Sequence, residues 1–304
     1  MTRATAFAPG SIGNVGPGFD VLGLAVEACG DRVTVELSEG EPRIISVTGW
    51  DAHLIPLDPD ANVAMIAARA WLRSAGVDAS PVLTIEKGLP LSGGLGGSAA
   101  SSVAGAFAAS EAAGVAASPE SIMLAALEGE SVVSGPHLDN IAPSVLGGLA
   151  LVRSVEPLDV ISLPVSDEWW VALVTPHVRI ETRSARALLP EVWPRERWIQ
   201  QMANTASMVH AFATGNTGLM ERSLVDHFAE PVRSALIPRF AEVKSAALDN
   251  GGFGCSISGS GPTIFALVLE GDAERCVQAM ATAVGEIGCD RIVSPIARRG
   301  VRAL

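Results

Sequence analysis

The feature that most constrains this chain is the run Pro90-Leu91-Ser92-Gly93-Gly94-Leu95-Gly96-Gly97-Ser98-Ala99-Ala100-Ser101-Ser102. It follows a stretch with strand alternation and precedes an Ala-rich stretch with helical composition. Glycines let a backbone take positive φ and approach an anion closely, while the free amides and dipole of a helix start supply positive potential. Strand, glycine turn and helix start in that order make a phosphate cradle. A plain flexible loop is the competing reading, and the position before a helix weighs against it. No Lys follows the glycines, so a Walker A loop is excluded. Gly94-Leu95-Gly96-Gly97-Ser98-Ala99 does satisfy a degenerate dinucleotide pattern. Against a Rossmann unit, residues 87–91 separate it from the strand, and the first acid beyond it, Glu111, falls within a helix.

What such a cradle could serve is limited by charge. The 304 residues carry 33 acidic and 21 basic side chains, a formal charge of −12, which repels nucleic-acid phosphates over most of the surface. An anionic ligand would have to be met locally, by backbone amides, a metal ion or a few arginines. With 48% hydrophobic and 18% charged residues the chain has material for a full core, and intrinsic disorder is excluded. The longest weakly polar stretch, 99–117, is mostly Ala and Gly and is broken by Glu111, so no membrane span is expected. The first residues hold Gly, Pro and Asp20 where a signal peptide needs an unbroken apolar core, so a cytoplasmic location is expected. Cys29, Cys255, Cys276 and Cys289 stand far apart with no C-x-x-C pair, which fits reduced structural thiols.

Alternation of Val33, Val35 and Leu37 with Thr34 and Glu36 predicts a strand over 31–37, with similar strands over 43–48 and 82–86. Val63, Ile66, Ala67, Ala70 and Trp71 recur at helical spacing and place a helix over 62–75. Ser118-Pro119-Glu120 starts another: Ser caps free amides, Pro suits the first helical position and Glu favours the positive end of the dipole. After strands over 149–153 and 160–165, a polar stretch at 166–168 marks a domain boundary near residue 165. Beyond it the pattern is a strand over 169–175, helices over 182–189, 195–213, 217–227 and 238–249, strands over 254–258 and 263–269, a helix over 272–287 and a strand over 290–296. With the inserted helices set aside this is β-α-β-β-α-β, the split βαβ of a ferredoxin-like half.

Ala8-Pro9-Gly10-Ser11-Ile12-Gly13-Asn14-Val15-Gly16-Pro17-Gly18-Phe19-Asp20-Val21-Leu22-Gly23 resembles the N-terminal motif of the GHMP small-molecule kinases, in the form the homoserine kinases carry. The glycine loop is similar to that family's Pro-x-x-x-Gly-Leu-Gly-Ser-Ser-Ala phosphate loop, and Ser256-Ile257-Ser258-Gly259-Ser260-Gly261-Pro262-Thr263 looks like its C-terminal glycine motif. His137-Leu138-Asp139-Asn140-Ile141-Ala142-Pro143, followed by Gly147-Gly148, resembles a stretch that separates homoserine kinases from mevalonate and galactose relatives. The resemblance is colinear across nearly the whole chain. It implies an α+β GHMP kinase fold, a two-domain α/β sandwich with a nucleotide-binding half at 1–165 and a ferredoxin-like half at 166–304. It also implies ATP and Mg2+ as cofactors, L-homoserine as the acceptor in threonine synthesis, and a homodimer, with no nucleic acid and no membrane as partners. Two departures stand out. Gly97 replaces the first Ser of the usual pair, leaving Ser98 as the hydroxyl there, and Ser92-Gly93 inverts the common order.

The resemblance also maps residues. The phosphate loop spans Pro90, Leu91, Ser92, Gly93, Gly94, Leu95, Gly96, Gly97, Ser98, Ala99 and Ala100, with Asn62 and Lys87 flanking it on the adenine side. Glu130 is the expected magnesium ligand together with Ser98, with Glu128 as its competitor; for either, a solvated glutamate at a helix end is the plain alternative. Asn14, Asp20, His137 and Asp139 map to the acceptor site, with Thr182, Arg186 and Arg233 reaching in from the second half. The two arginines suit a bidentate clamp on an amino-acid carboxylate, and Thr182 and Arg186, four apart, share one helix face. A capping Thr182, arginines in surface ion pairs and a loop histidine at 137 are the competing readings. Asn140 stands where mevalonate-type relatives carry an Asp base, and an amide cannot accept a proton. The resemblance therefore implies catalysis without a strong side-chain base at that position: Asn140 orients the hydroxyl while magnesium, Ser98 and the loop amides stabilise the transferring phosphoryl group, and Asp139 acting as base is the alternative. Other GHMP acceptors, a non-catalytic binding protein of this fold and a dehydrogenase are the remaining alternatives.

Overall fold

The molecule begins with a long antiparallel pair that alternation does not announce, β1 (Arg3–Gly13) and β2 (Leu22–Ser38). The computed structural model describes residues 3–133 and 135–304. Alternation predicts a strand from 31, but β2 begins nine residues earlier in sequence, at Leu22, and β1 carries no alternation that predicts it. Both segments run through the interior, where a strand buried on both faces loses its polar alternation. β3 (Arg43–Gly49) and β4 (Ser80–Lys87) extend the sheet, β5 (Leu149–Ser154) pairs with β2, and β6 (Asp159–Leu163) pairs with β5.

Against this sheet pack α1 (Val63–Ser74), α2 (Gly97–Ala113), α3 (Pro119–Ser131) and the short α4 (Ile141–Leu146). Asn62 caps α1 by accepting from the amides of Ala64 and Met65, and Ser118 caps α3 by accepting from Ser121, as its Ser-Pro-Glu start predicts. The inward face of α1 buries Met65, Trp71 and Leu72, each worth roughly 1.5–3 kcal/mol relative to exposure. α2 is different: Ala, Gly and Ser line it all round and most of them are buried, so small side chains let neighbouring backbones come close. At Gly105 a Cβ would run into the Ala64 carbonyl of α1. The helix that follows the glycine loop is therefore a central, tightly gripped element.

The second half comprises β7 (Trp169–Pro176), α5 (Thr182–Ala187), α6 (Arg195–Thr214), α7 (Thr217–Ser223), α8 (Glu230–Arg233), α9 (Phe240–Asp249), β8 (Gly254–Ile257), β9 (Ile264–Leu269), α10 (Glu270–Val284) and β10 (Cys289–Pro295). Its sheet has the order β10-β7-β9-β8, antiparallel throughout, which is the split βαβ arrangement. Helix ends were overrun by the sequence reading: α7 stops at Ser223 rather than 227, and α10 at Val284, where Gly285–Ile287 forms a single 3-10 turn.

The boundary expected near 165 lies between β6 and β7, but the two halves share one core. Alternate residues of β7 and β9 face opposite ways. Val171, Leu173, Phe265 and Leu267 join the large core of the first half, while Ala172, Val174, Ile264 and Ala266 join a second core under α9 and α10. Ile296 bridges to Val26, and β11 (Arg302–Ala303) pairs with β1, so the span 166–304 sends its last residues back into the first sheet. Among the described residues no helix is long and apolar enough to cross a membrane. Cys29, Cys255 and Cys276 are buried and all four thiols are free; burial pushes Cys29 up to about 12 and Cys276 to about 11, which keeps them protonated.

Candidate active site

A cavity of about 450 Å³ opens where the two halves meet. Residues from the turn after β1, the loop between β4 and α2, the end of α3, the stretch before α4, and α5 and α8 line it. The glycine loop forms one wall, with Ser92, Gly94 and Gly96 at φ +57, +80 and +65. Its carbonyls are taken from outside. Thr263 Oγ1 donates to Gly93 O at 2.5 Å, Ser258 Oγ to Gly94 O at 2.5 Å, the Ser11 amide to Leu95 O at 3.0 Å and Lys87 Nζ to Gly97 O at 2.9 Å. In a trans peptide the next amide points opposite to its carbonyl, so the amides of Gly94, Leu95, Gly96 and Ser98 point away from those donors. The segment 256–263 thus holds the loop as well as turning between β8 and β9.

Beneath the loop lies a buried ion pair between Lys87 and Asp31. Asp31 also accepts from Ser101 Oγ at 2.6 Å and from the Gly88 amide at 3.0 Å, and Lys87 donates to Ser101 Oγ at 2.8 Å. Asp31 was read only as a strand residue. Ser11 belongs to the N-terminal motif and Thr263 to the C-terminal glycine motif, which is expected to pack beside the phosphate loop and hold it; Asp51, which accepts from the Leu91 amide at 2.9 Å, belongs to no motif. Nothing in local pattern marks Asp31 or Asp51 for this role, because each acts across tens of residues of sequence.

At the N-terminus of α2, Ser98 Oγ donates to Glu130 Oε1 at 2.9 Å. Glu130 is buried, on the last turn of α3. Its rival Glu128 faces outward and pairs with Arg73 at 2.7 Å on the surface. Of the two acids, Glu130 is the one that lines the cavity. Helical rotation explains why two acids two residues apart fare so differently.

Across the cavity the chain makes a left-handed turn at Asn14, Val15 and Gly16, with φ of +67, +47 and +68. A buried β-branched residue at positive φ is a costly conformation. Here it lets Asn14 do three things: its amide donates to Asp139 Oδ2 at 3.1 Å, its Nδ2 donates to Gly259 O at 2.8 Å, and its Oδ1 accepts from the Asp20 amide at 3.0 Å. Gly13 has no room for a side chain, since a Cβ would meet Asp139 Oδ2 at 2.6 Å and Asn140 Nδ2 at 2.8 Å. Asn140 Oδ1 accepts from Ser11 Oγ at 3.0 Å.

Asp139 is buried, and burial together with the charge of Asp20 pushes its carboxyl up to about 7. His137 also lines the cavity. Burial and the Arg186 guanidinium lower its pKa, which keeps the ring neutral. Asp20 and Arg186 form a bidentate pair at 2.8 and 2.9 Å. Arg233 is buried, with Nη1 donating to Gly259 O at 3.0 Å, so it is no surface ion-pair residue; burial and Arg186 lower its pKa. Both guanidiniums lie over the Phe19 ring, at 5.4 and 5.2 Å. Thr182 is the first residue of α5 and does not cap it; its Oγ1 lies 3.2 Å from Ser260 Oγ.

The cavity therefore gathers Asn14, Asp20, His137, Asp139, Asn140, Thr182, Arg186, Arg233, Ser98 and Glu130, with Asn62, Lys87, Pro90, Leu91, Ser92, Gly93, Gly94, Gly96 and Gly97. Leu95, Ala99 and Ala100 turn their side chains into the core and the Ala100 amide is bonded to Gly96 O, so these positions face the cavity with backbone at most. Asn62 spends its side chain on the α1 cap and on Pro56 O, at 2.9 Å.

Residues 62–148 match the GHMP kinases N terminal domain and residues 208–286 the GHMP kinases C terminal family. The chain belongs to the GHMP kinases. Among its relatives in that family are homoserine kinases. The homoserine kinase of Chlorobium phaeobacteroides is 39% identical over 320 residues, covering 100% of both chains. That of Pyrococcus abyssi is 42% identical over 262 residues, 86% of each chain. A crystal structure of homoserine kinase from Cytophaga hutchinsonii superposes with a TM-score of 0.95 at 40% identity, covering 100% of this chain and 98% of that one.

Proposed function

We infer that the protein is an ATP-dependent kinase that phosphorylates the side-chain hydroxyl of L-homoserine to give O-phospho-L-homoserine, a step in threonine synthesis. The observation that carries this reading is a single cavity with a phosphate cradle on one wall and, on the other, an acid and two arginines that suit the charges of an amino acid. The amides freed at the glycine loop and the start of α2 receive the nucleotide phosphates. Asn62 and Lys87 flank the adenine side.

Glu130 and Ser98 fit a magnesium ion: a buried carboxylate and a hydroxyl, 2.9 Å apart beside the cradle, are oxygen donors of the kind magnesium takes together with water and phosphate oxygens. When bound, the ion supplies charge neutralisation at the phosphates. On the acceptor side, Arg186 and Arg233 take the carboxylate, Asp20 the ammonium, and Asn14, His137 and Thr182 complete the shell. Asn140, held by Ser11, orients the hydroxyl. That oxygen attacks the γ-phosphorus in line, its bond forms as the bond to ADP breaks, and its proton passes to Asp139, the carboxylate whose affinity for a proton is raised. The same reading makes the protein a cytoplasmic homodimer.

A coupled ADP-release assay with magnesium-ATP tests this against L-homoserine, L-serine, L-threonine, mevalonate, shikimate and galactose. Turnover on homoserine far above the others is the expected result. Turnover on another alcohol would leave the cradle and overturn the acceptor assignments.

A further inference from the structure

The Arg186 fork is not free to bind a substrate carboxylate. Both of its terminal nitrogens are held by Asp20, at 2.9 and 2.8 Å, in the cavity where the acceptor must sit. The pair is half-buried, with side-chain exposures of 37% and 30%. Arg186 Nε is also buried and has no hydrogen-bond partner, which leaves one donor aimed at no acceptor. Neither residue is easily displaced. Asp20 sits at φ +58 with its amide fixed to Asn14 Oδ1, and Arg186 lies over the Phe19 ring that also carries Arg233.

We propose that the Asp20–Arg186 ion pair occupies the acceptor site in place of the acceptor's own two charges, and thereby selects for zwitterions. The inference rests on the acceptor site argued above. An incoming carboxylate meets the Arg233 guanidinium on the cavity wall first, then takes the Arg186 fork. That transfer strips Asp20 of its partner in a partly desolvated site, which is costly for a lone carboxylate. An ammonium on the same ligand restores the balance by pairing with Asp20. A ligand with only one of the two charges must break the internal pair and leave the other partner uncompensated, so it binds poorly. A hydroxy acid without an amine, or an amino alcohol without an acid, is rejected by the internal pair rather than by shape.

The test uses two analogues of homoserine: γ-hydroxybutyrate, which lacks the ammonium, and propanolamine, which lacks the carboxylate. Affinities are read by calorimetry and KM by ADP release, for the native protein, Asp20→Asn and Arg186→Gln. Asp20→Asn keeps the backbone, because Asn tolerates the left-handed region. It is expected to weaken homoserine and to tighten γ-hydroxybutyrate by about three- to tenfold, since Arg186 is then free. Arg186→Gln is expected to weaken homoserine and to tighten propanolamine. A plain ammonium subsite at Asp20 would weaken homoserine and leave γ-hydroxybutyrate unchanged, and that pattern overturns the proposal. If one variant fails to fold by circular dichroism, the other arm decides alone. If the native protein does not phosphorylate homoserine, the proposed activity falls, while the calorimetric crossover still reads the exchange.

Discussion

Ser98 Oγ donates a 2.9 Å hydrogen bond to Glu130 Oε1, tying the first turn of α2 to the last turn of α3 at the edge of the phosphate cradle. The contact joins residues far apart in sequence, and of the two nearby acids it is Glu130 that faces the cavity. Glu130→Gln is expected to lower kcat by about a hundredfold or more and to raise the magnesium concentration needed for half-maximal rate. Glu128→Gln breaks a surface pair with Arg73 and is expected to cost less than about 1 kcal/mol, with activity unchanged. Magnesium titrations of both variants check this.

The raised carboxyl of Asp139 gives two pH signatures. In the proposed role of proton acceptor it must be ionised, so kcat/KM is expected to climb with pH and level off above about 7. Asp139→Asn should flatten that limb and cost most of the activity. For stability the sign runs the other way. The folded value lies above the ordinary 3.8, so between the two the native state binds more protons than the unfolded chain, and stability falls as pH rises from about 4 to about 7. Asp139→Asn should therefore stabilise the fold at about pH 8 by ~1–3 kcal/mol and do little at about pH 4. Urea unfolding at the two pH values reads it.

Lys87 and Asp31 are buried partners under the glycine loop. Lys87→Met leaves Asp31 charged and unpaired and removes the donor to Gly97 O, with an expected loss of about 3–5 kcal/mol. Lys87→Met with Asp31→Leu should recover part of that stability while the KM for ATP stays raised, because the loop anchor is still missing. Paired denaturation and ATP kinetics separate the two effects.

The two glycines that precede Ser98 should respond in opposite ways. Gly96 sits at φ +65, and a Cβ there would meet Asn140 Oδ1 at 2.9 Å, so Gly96→Ala is expected to destabilise by about 1–2 kcal/mol and to raise the KM for ATP. At Gly97 a Cβ finds only ordinary contacts, 3.5 Å to Leu89 Cβ and Pro90 O. Gly97→Ser is therefore expected to fold normally and to gain a few tenths of a kcal/mol from helix propensity. A lower thermal midpoint for Gly97→Ser would contradict the ordinary contacts found there.

The glycine loop, the helix starts at Asn62 and Ser118 and the split βαβ pattern of the second half were legible because each is local: a cap, an alternation or a glycine run states its own conformation. β1 and the first part of β2 were not, since burial on both faces erases the alternation by which a strand is read. The sequence likewise determined the residue types the site needs and, through resemblance, the family, which the full-length match to homoserine kinases supports. Only the tertiary structure placed Glu130 at the cavity and Glu128 on the surface, turned the side chains of Leu95, Ala99 and Ala100 into the core, paired Arg186 with Asp20, and recruited Asp31 and Asp51 to hold the cradle. The physical reason is the same in each case. Burial, ion pairing and the direction of a carbonyl depend on what lies a few ångströms away, and those neighbours come from distant parts of the chain.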